Sequence, residues 1–360
     1  MRRNQSYYIF APEKTKRRGP GCLFLLLSVL FAAVVLCLLT NAAMNRKTNL
    51  LTEKVRIMSL DKKLENFTLL EVTDLHGDER GLDAEMWKNL LYGKSFSAVT
   101  MTGDMVGKDG DYTPLVSLIK ILRQIKADVP IYFIAGDEDP APVQSDLHGN
   151  REVLADWVRA AQEAGGIYLD RPVNQAVGKM MVWFTPEYLY SVDIAGMQES
   201  LTRQKTDMET QGQQYEAEGG ASYRALCYRL DAITACAAAM KTMNKNDLQI
   251  GLTHVPLEAD YVREMVEWAD ETAVFSFRRL SLVLAGHYCG GQWRLGGLGP
   301  LYVPDKGWMI GDDGIFGMQR INSLNQYIGG GLSASSIYPM PGRLLNTPSV
   351  TLLSYTAKIE

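Results

Sequence analysis

The stretch Phe67–Gly77 (FTLLEVTDLHG) constrains the fold of this chain more than any other part of its sequence. Its apolar and β-branched first part predicts a buried strand that stops at Gly77. Asp74 and His76 stand at the carboxyl end of this strand, and residues two apart in an extended chain point to the same side. Open α/β sheets bind ligands outside the carboxyl ends of their strands. The stretch therefore predicts a sheet edge at which a carboxylate and an imidazole converge on one point.

Strand and helix patterns alternate through most of the chain, which predicts a layered α/β fold. Residues 192–245 differ, since a Gln- and Glu-rich part is followed by an Ala-, Leu- and Met-rich part. We predict a helical hairpin there with its turn at Gly219-Gly220, either a cap beside the site or a surface elaboration. The main predicted strands are Val55–Ser59, Phe67–Thr73, Phe96–Thr102, Pro130–Ala135, Leu248–Thr253, Leu280–Ala285 and Val350–Tyr355, and the main predicted helices are Asp83–Tyr92, Thr113–Lys126, Arg151–Ala164 and Ala259–Trp268.

The N-terminal region predicts a membrane anchor. Residues 21–40 carry no charge, and a helix of this length spans about 30 Å, the thickness of a bilayer core. Residues 1–20 contain six Lys or Arg and one acidic residue, which predicts a basic cytoplasmic tail and an extracytoplasmic C-terminal domain. A cleaved signal peptide is the alternative, with a candidate cleavage site at 41–43, but the apolar run is long for that role. We expect a single-pass protein of the cell membrane, with a polar linker at 41–54.

The charge argues against a nucleic-acid-binding protein, and the cysteines argue against a protein with a disulfide framework. Residues 21–360 hold 31 basic and 40 acidic residues, whereas binding to a nucleic-acid backbone needs a basic surface. We therefore expect no nucleic-acid partner. Cys227 and Cys236 stand on one predicted helix, about 13 Å apart along its axis, which is too far for a disulfide. A disulfide framework is thus not expected, and Cys289 needs another explanation.

Side chains that bind metals recur at five junctions between a strand and the loop after it. A single Gly-Asp after a strand is usually a turn, and a single His at a strand end is usually a hydrogen-bonded surface residue. Recurrence at five strand ends argues against coincidence. Carboxylates and imidazoles together suit divalent first-row metals, and two such ions about 3.5–4 Å apart promote displacement at phosphorus. The junctions are Asp74-Leu75-His76, Gly103-Asp104, Gly136-Asp137-Glu138-Asp139, Thr253-His254 and Gly286-His287-Tyr288-Cys289.

In this order, the junctions resemble the signature of the calcineurin-like metallophosphoesterase family, from about Val55 to the C-terminus. Within that family, the chain looks most like membrane-anchored bacterial phosphodiesterases similar to UDP-2,3-diacylglucosamine pyrophosphatases. The motifs behind this second resemblance are Gly290–Gln292, Gly329–Ser333 and Pro341–Arg343. The resemblance implies that residues 55–360 form a four-layer α/β/β/α sandwich with a two-metal site between its sheets.

The resemblance also implies a role for each junction residue. Asp104 would bridge two divalent metal ions, either Mn, Fe or Zn. Glu138 would face the substrate as a catalytic residue, while a hydroxide shared by the metals attacks phosphorus in line. The other ligands would form two sets, namely Asp74, His76 and Cys289 for the first metal and Asp137, His254 and His287 for the second.

Three of these positions depart from the family pattern. Asp137 replaces an Asn and adds a negative charge, which attracts a cation and opposes an anionic phosphate. Glu138 replaces a His, and an ionised carboxylate neither donates a hydrogen bond nor supplies positive charge. Cys289 replaces the last His of Gly-His-x-His, and a thiolate binds Zn or Fe better than Mn. These changes indicate either a retuned metal site or a site that is losing catalysis.

The sequence therefore predicts a membrane-anchored, metal-dependent phosphoesterase. Its substrate would be a phosphodiester or pyrophosphate, in a phosphorylated small molecule or a lipid-linked compound. The alternative is a catalytically impaired relative that binds a phosphorylated ligand or a protein partner, for example through residues 192–245. A second Asp-Leu-His-Gly occurs at 146–149, but no apolar strand precedes it. We predict that His148 is a loop residue, with replacement of the missing His as the alternative.

Overall fold

The structure is a computed structural model that describes residues 21–56, 66–143, 153–215, 217–244, 246–272, 280–304, 306–311, 314–322 and 324–355. The chain divides into two units, residues 1–43 and residues 44–360. The basic tail predicted for residues 1–20 and the repeated tetrapeptide at 146–149 lie outside the described residues.

The N-terminal helix α1, Gly21–Asn45, forms from the uncharged apolar run. Its stretch Leu23–Asn45 has a mean hydropathy of 3.0 and is not buried inside the protein. Among the described residues, this is the one helix that is long and apolar enough to cross a membrane. A membrane anchor and a signal sequence both have these properties.

The described part of residues 44–360 contains two six-stranded mixed sheets and a small separate hairpin. The strands are β1 (Asn49–Val55), β2 (Phe67–Val72), β3 (Ala98–Thr102), β4 (Ile131–Ile134), β5 (Ile167–Tyr168), β6 (Val173–Val177), β7 (Met180–Pro186), β8 (Leu248–Leu252), β9 (Leu280–Ala285), β10 (Tyr302–Val303), β11 (Gly307–Trp308), β12 (Gly317–Ile321), β13 (Leu324–Ile328) and β14 (Ser349–Tyr355). The first sheet has the order β1-β14-β2-β3-β4-β5, the second has the order β12-β13-β9-β8-β7-β6, and β10 pairs with β11.

The helices after α1 are α2 (Ala84–Leu90), α3 (Thr113–Ile125), α4 (Asp156–Glu163), α5 (Ile194–Thr210), α6 (Ala217–Thr242) and α7 (Ala259–Thr272). Helices α2, α3 and α4 pack against the first sheet, and α7 packs against the second. Phe67 of β2 packs against Phe184 of β7 between the two sheets. Trp87 of α2 is buried on the outside of the first sheet, and Val262 of α7 packs against Val283 of β9 on the outside of the second. The predicted four-layer α/β/β/α fold is confirmed.

Strand β1 corrects the predicted organisation of the chain. The sequence predicts a polar linker at 41–54 and a first strand at Val55–Ser59, of which 57–59 lie outside the described residues. Instead, α1 extends to Asn45, and β1 begins at Asn49 and ends at Val55. β1 pairs in parallel with β14 over all seven of its residues. Since β1 is the edge strand of its sheet and only its last residue, Val55, is buried, polar residues are tolerated within it. Because its sequence lacks a run of apolar residues, β1 is not predicted as a strand.

The hairpin predicted for residues 192–245 is present as α5 and α6. Leu201 of α5 and Ile233 of α6 belong to one buried apolar cluster. The turn predicted at Gly219-Gly220 is wrong, because both glycines lie within α6 and the helices are instead connected around 211–215. Gly212 has a φ of +73° there, the left-handed conformation in which many helices end.

Parallel neighbouring strands position the junctions that the sequence analysis identified. In the first sheet, β2, β3 and β4 are parallel neighbours, so their carboxyl ends lie at the same edge. In the second sheet, β8 and β9 are also parallel neighbours. The loops after these five strands carry all of the predicted metal ligands.

Candidate metal centre

The loops after β2, β3 and β9 present their polar side chains from strained backbone. Among the described residues other than glycine, eight have a positive φ, and five of the eight are predicted metal ligands. Such conformations cost about 1–3 kcal/mol each, persist only where the surrounding structure imposes them, and cluster at functional sites. The five residues are Asp74 (φ 52°), His76 (φ 46°), Asp104 (φ 53°), His287 (φ 76°) and Cys289 (φ 48°).

Two glycines allow neighbouring loops to approach each other closely. A Cβ atom at Gly136 would lie 2.0 Å from Oδ1 of Asp104, and a Cβ atom at Gly103 would lie 2.7 Å from Nδ1 of His254. Both distances are shorter than real Cβ contacts. The glycine of each Gly-Asp junction is therefore required by the packing of a predicted ligand, in addition to its role in a turn.

Asp74, His76 and Cys289 form the first candidate metal-binding group, with ligand atoms within 4.8 Å of one another. Sγ of Cys289 is 3.8 Å from Nε2 of His76. The backbone N–H of His287 donates a hydrogen bond to Oδ1 of Asp74 over 3.0 Å and so orients this carboxylate. Asp74 and Cys289 are completely buried. The described cysteines are all free thiols, as the sequence predicts, namely Cys37, Cys227, Cys236 and Cys289.

Asp137, His254 and His287 form the second candidate group, again with ligand atoms within 4.8 Å. Oδ1 of Asp137 lies 2.8 Å from Nε2 of His254 and 3.3 Å from Nδ1 of His287. Both histidines are buried, whereas the side chain of Asp137 is 45% exposed. The second group is therefore open to solvent on the side of Asp137.

Asp104 links the two groups. Its Oδ2 lies 3.0 Å from Nε2 of His254 and 3.8 Å from Nε2 of His76, so it faces one histidine of each group. Its Oδ1 accepts a hydrogen bond from the backbone N–H of Glu138 over 2.9 Å. The sequence analysis assigns a bridging role to this carboxylate, and its position between the groups suits that role.

The buried donors of the centre fit a bound cation. Oδ2 of Asp74 is buried and has no hydrogen-bond partner among the described residues. The described ion pairs of Asp104 involve histidines and no Lys or Arg. Buried carboxylates without a cation are costly, and carboxylate, imidazole and thiolate together suit Zn, Fe or Mn. The residues present therefore fit divalent metal ions.

The hydrogen bonds of His254 fix its orientation. Its Nδ1 lies 2.8 Å from the carbonyl oxygen of Thr102, which can only accept, so Nδ1 donates and Nε2 faces the carboxylates. Histidines that bind metals usually hold their other ring nitrogen in this way. Burial by itself would lower the pKa of His254, but hydrogen bonds to Asp104 and Asp137 raise this pKa well above its ordinary value.

Three other pKa values show how negative charge is distributed. Burial raises the pKa of Asp74. Burial, followed by the charge of Asp74, raises the pKa of the Cys289 thiol well above its ordinary value. Hydrogen bonds from His254 and then His287 hold the pKa of Asp137 well below its usual range. A cation at the first group would reverse the effect on Cys289, because a thiol that coordinates a metal loses its proton.

Glu138 is held by two serines that the sequence analysis missed. Ser335 donates from its hydroxyl to Oε1 of Glu138. Ser336 donates to Oε2, from its hydroxyl over 2.5 Å and from its backbone N–H over 3.3 Å. We call Ser335 and Ser336 the serine clamp. The Glu138 side chain is 16% exposed, and its Oε1 lies 3.9 Å from Nδ1 of His76, at the edge of the first group.

Asp139 and Arg343 support the centre from outside the predicted ligands. Asp139 accepts hydrogen bonds from the backbone N–H groups of Val106 and Gly136, so it stabilises the loop that carries Asp137 and Glu138. Arg343 is buried and donates to the carbonyl oxygens of three residues in the C-terminal loops. Those residues are Gly330, Ser333 and Asn346. The sequence marks Arg343 as part of a motif but gives no sign of these contacts.

No protein-family model matches the chain, and no curated protein matches it. Solved structures that resemble it include phosphopantetheinyl hydrolase (PptH) from Mycobacterium tuberculosis, with 14% sequence identity and a TM-score of 0.36, covering 74% of this chain and 90% of that chain. They include the protein TT1561 of Thermus thermophilus, with 12% identity and a TM-score of 0.37, covering 74% of this chain and 91% of that chain.

A third is the calcineurin-like phosphoesterase YfkN from Bacillus subtilis, with 10% identity and a TM-score of 0.35, covering 81% of this chain and 91% of that chain. Likeness at this level establishes neither a family nor an activity for the chain. An activity for this chain therefore has to be argued from the residues of the candidate metal centre.

Proposed function

We propose that this chain is a metal-dependent phosphoesterase of the calcineurin-like type, which hydrolyses a phosphodiester or a pyrophosphate. The position of Asp104 supports this proposal most strongly. Asp104 shares one candidate metal-binding group with Asp74 and His254 and another with His76 and Glu138. A single carboxylate thus lies between two sets of ligands, as a centre for two ions requires.

The proposed ligands divide as the sequence analysis predicts. Two divalent ions, when bound, polarise a phosphoryl oxygen and lower the pKa of a water molecule, which is the chemistry that ester hydrolysis at phosphorus needs. The thiol of Cys289 favours Zn or Fe over Mn at the first position. The first ion would be held by Asp74, His76, Asp104 and Cys289, and the second by Asp104, Asp137, His254 and His287.

Hydrogen bonds within the chain would orient the side chains that bind the metal ions. Thr102 fixes the ring of His254, the N–H of His287 fixes Asp74, and the N–H of Glu138 fixes Asp104. Donors held in this way need little rearrangement when charge develops in a transition state. The exposed side chain of Asp137 indicates the side from which a substrate would enter.

A catalytic role for Glu138 stays a prediction. Both of its carboxylate oxygens accept hydrogen bonds from the serine clamp at the edge of the centre. None of these bonds requires Glu138 to carry a proton. Glu138 is therefore a carboxylate held by the serine clamp, which is a different chemical group from the His of the family pattern.

The substrate and the location are further parts of the proposal. We propose that α1 is a single-pass anchor with a cytoplasmic N-terminus, and that the substrate is a phosphorylated small molecule or a lipid-linked compound of the cell envelope. The basic residues at 1–20 support this orientation. Helix α1 ends at Asn45 and β1 begins at Asn49, so few residues separate the anchor from the first strand.

Asp137 and Glu138 also favour a second candidate function. They place two adjacent carboxylates on the accessible side of the centre, where they oppose an anionic substrate. A protein with this feature could retain metal and bind a phosphorylated ligand or a partner without turnover. Activity measurements separate the two candidates.

The experiment uses the full chain purified in detergent. Its metal content is measured by inductively coupled plasma mass spectrometry, and hydrolysis of bis(4-nitrophenyl) phosphate is assayed with added Mn, Zn or Fe. We expect activity that is lost in His254→Ala and Asp74→Ala. His148→Ala is the matched control, since the sequence predicts a loop residue there, and it should retain activity.

Bound metal without turnover on this diester, on a phosphomonoester or on a pyrophosphate would contradict the phosphoesterase and favour the binding protein. A chain that binds no metal under any of these conditions would contradict both candidates.

A further inference from the structure

Glu138 lies beside the first metal-binding group, outside the set Asp74, His76 and Cys289. It shares a separate group with His76 and Asp104, whose ligand atoms also lie within 4.8 Å of one another. Its Oε1 lies 3.9 Å from Nδ1 of His76, while Nε2 of the same ring faces Oδ2 of Asp104, and the backbone N–H of Glu138 donates a hydrogen bond to Oδ1 of Asp104. The carboxylate of Glu138 can therefore reach an ion that His76 and Asp104 hold.

The serine clamp gives the same carboxylate a second set of partners. The clamp is itself well supported, because the N–H of Ser335 donates to Oε1 of Gln292 over 3.1 Å. The hydroxyl of Ser335 also accepts from the N–H of Ile337 over 3.1 Å. Loss of the Ser336 hydroxyl would remove the shorter of the two hydrogen bonds to Oε2 of Glu138 and leave this support in place.

The charge of the centre bears on how it accepts a phosphate. Two divalent ions bring four positive charges, whereas four carboxylates and an ionised Cys289 bring five negative charges, all from residues of the candidate groups. A phosphate dianion would gain no net attraction from such a centre, since like charges at short range are costly. A phosphate would contact a metal ion only where it displaces an anionic side chain from that ion. The four carboxylates are those of Asp74, Asp104, Asp137 and Glu138.

Of the four carboxylates, Glu138 is the one that a phosphate can displace most easily from a metal ion. Asp74 and Asp104 are fully buried, and Asp137 is in contact with both histidines of its group. Glu138 is partly exposed, and its alternative partners are the neutral hydroxyls of the serine clamp. Displacement of Glu138 therefore leaves its oxygens hydrogen-bonded.

We infer that Glu138 is an internal anion that competes with phosphate oxygens for the metal centre, and that the serine clamp receives its carboxylate when a phosphate binds. This inference rests on the proposed function and adds a substrate class to it. A phosphodiester carries one negative charge and a phosphomonoester carries up to two, so the centre favours phosphodiesters. Ser335 and Ser336 are positioning residues in this scheme, since they act on the substrate only through Glu138.

The test measures the binding of inorganic phosphate to the full chain in detergent, loaded with Zn²⁺ and freed of excess metal, by isothermal titration calorimetry. Glu138→Gln keeps the shape of the side chain and removes its charge, so phosphate should bind about tenfold tighter or more. Ser336→Ala weakens the clamp and leaves the carboxylate with the metal, so phosphate should bind several-fold more weakly. The double variant should behave like Glu138→Gln alone.

The opposite signs of these effects distinguish the inference from a purely structural role. If Glu138 merely fastened the C-terminal loop, both single variants would change phosphate binding in the same direction or not at all, and either result would overturn the inference. Glu85→Gln, at an exposed position of α2, is the matched control and should leave phosphate binding unchanged.

Metal content and turnover separate this inference from the proposed function. A wild-type chain that binds Zn²⁺ and hydrolyses phosphodiesters, while Glu138→Gln leaves phosphate affinity unchanged, overturns the inference alone. A wild-type chain without bound metal overturns both.

Discussion

Nδ1 of His254 donates a hydrogen bond to the carbonyl oxygen of Thr102 over 2.8 Å. Thr102 ends β3 of the first sheet, and His254 follows β8 of the second. This bond therefore joins the two sheets at the centre and decides which ring nitrogen of His254 faces Asp104. The orientation of one proposed ligand thus depends on the packing of the whole sandwich.

The substitution Gly103→Ala should disturb this relationship. Its Cβ would lie 2.7 Å from Nδ1 of His254 and 2.7 Å from backbone atoms of Gly136, so the histidine must move. Loss of such an orienting contact typically lowers metal affinity by about 10–100-fold. Metal titration of the full chain measures the effect.

Gly93→Ala is the matched control for this change. Gly93 also has a positive φ, of 69°, but no heavy atom lies within 4 Å of the added Cβ. The control should lose about 1 kcal/mol of stability and keep its metal affinity. Equal losses of metal affinity in both variants would contradict the assigned role of Gly103.

Arg343→Met should destabilise the domain. Arg343 is buried and makes three hydrogen bonds to the carbonyl oxygens of the C-terminal loops, which its loss would leave unpaired. We expect the free energy of unfolding to fall by about 3 kcal/mol. Arg203→Met, at a side chain that is 70% exposed, should change it by less than about 0.5 kcal/mol. Chemical denaturation compares the two, and similar losses would argue against a structural role for Arg343.

Glu187 makes stability depend on pH. Burial raises its pKa from 4.5 to about 7, against the lowering effect of a hydrogen bond from Tyr261. Because the folded state holds this proton more tightly, the stabilising contribution is complete below pH 4.5 and is lost as the pH rises through about 7. The wild type therefore loses this contribution between pH 5 and pH 8, whereas Glu187→Gln has none to lose. The melting temperature of the variant minus that of the wild type should rise over this range. A constant difference across this range, as expected for the exposed Glu199→Gln, would contradict the assignment.

Helix α1 should remain part of the mature protein. If it is an anchor, the chain stays in the membrane fraction after alkaline carbonate extraction, and mass spectrometry finds an N-terminus before Gly21. A mature chain that begins near Met44 and is released by extraction would identify the helix as a signal peptide.

The strand ends and the grouping of their candidate ligands could be predicted from the sequence because both signals are local. A run of apolar residues predicts a buried strand, as in Phe67–Val72, and a turn marks where the strand ends. Parallel strands then bring such ends together whatever their separation in the chain. The close grouping of Asp74, Asp104 and His254 follows from this rule.

Other features depend on contacts between distant segments and left no local signal. The serine clamp stands 197 positions from Glu138 in the chain and is held in place by Gln292. β14 comes last in the chain and is inserted between β1 and β2, an order that no periodicity reveals. β1 itself is an edge strand with a polar sequence. The residues around the candidate ligands are therefore less predictable than the candidate ligands themselves.

The number of metal ions bound per chain tests the central claim most directly. The full chain in detergent is loaded with Zn²⁺, Fe²⁺ or Mn²⁺, freed of excess metal and analysed by inductively coupled plasma mass spectrometry. We predict two ions in the wild-type chain, one in Asp74→Ala and none in Asp104→Ala, since Asp104 lies between both groups. A wild-type chain without metal, or an Asp104→Ala variant with the wild-type content, would contradict a two-metal centre at these strand ends.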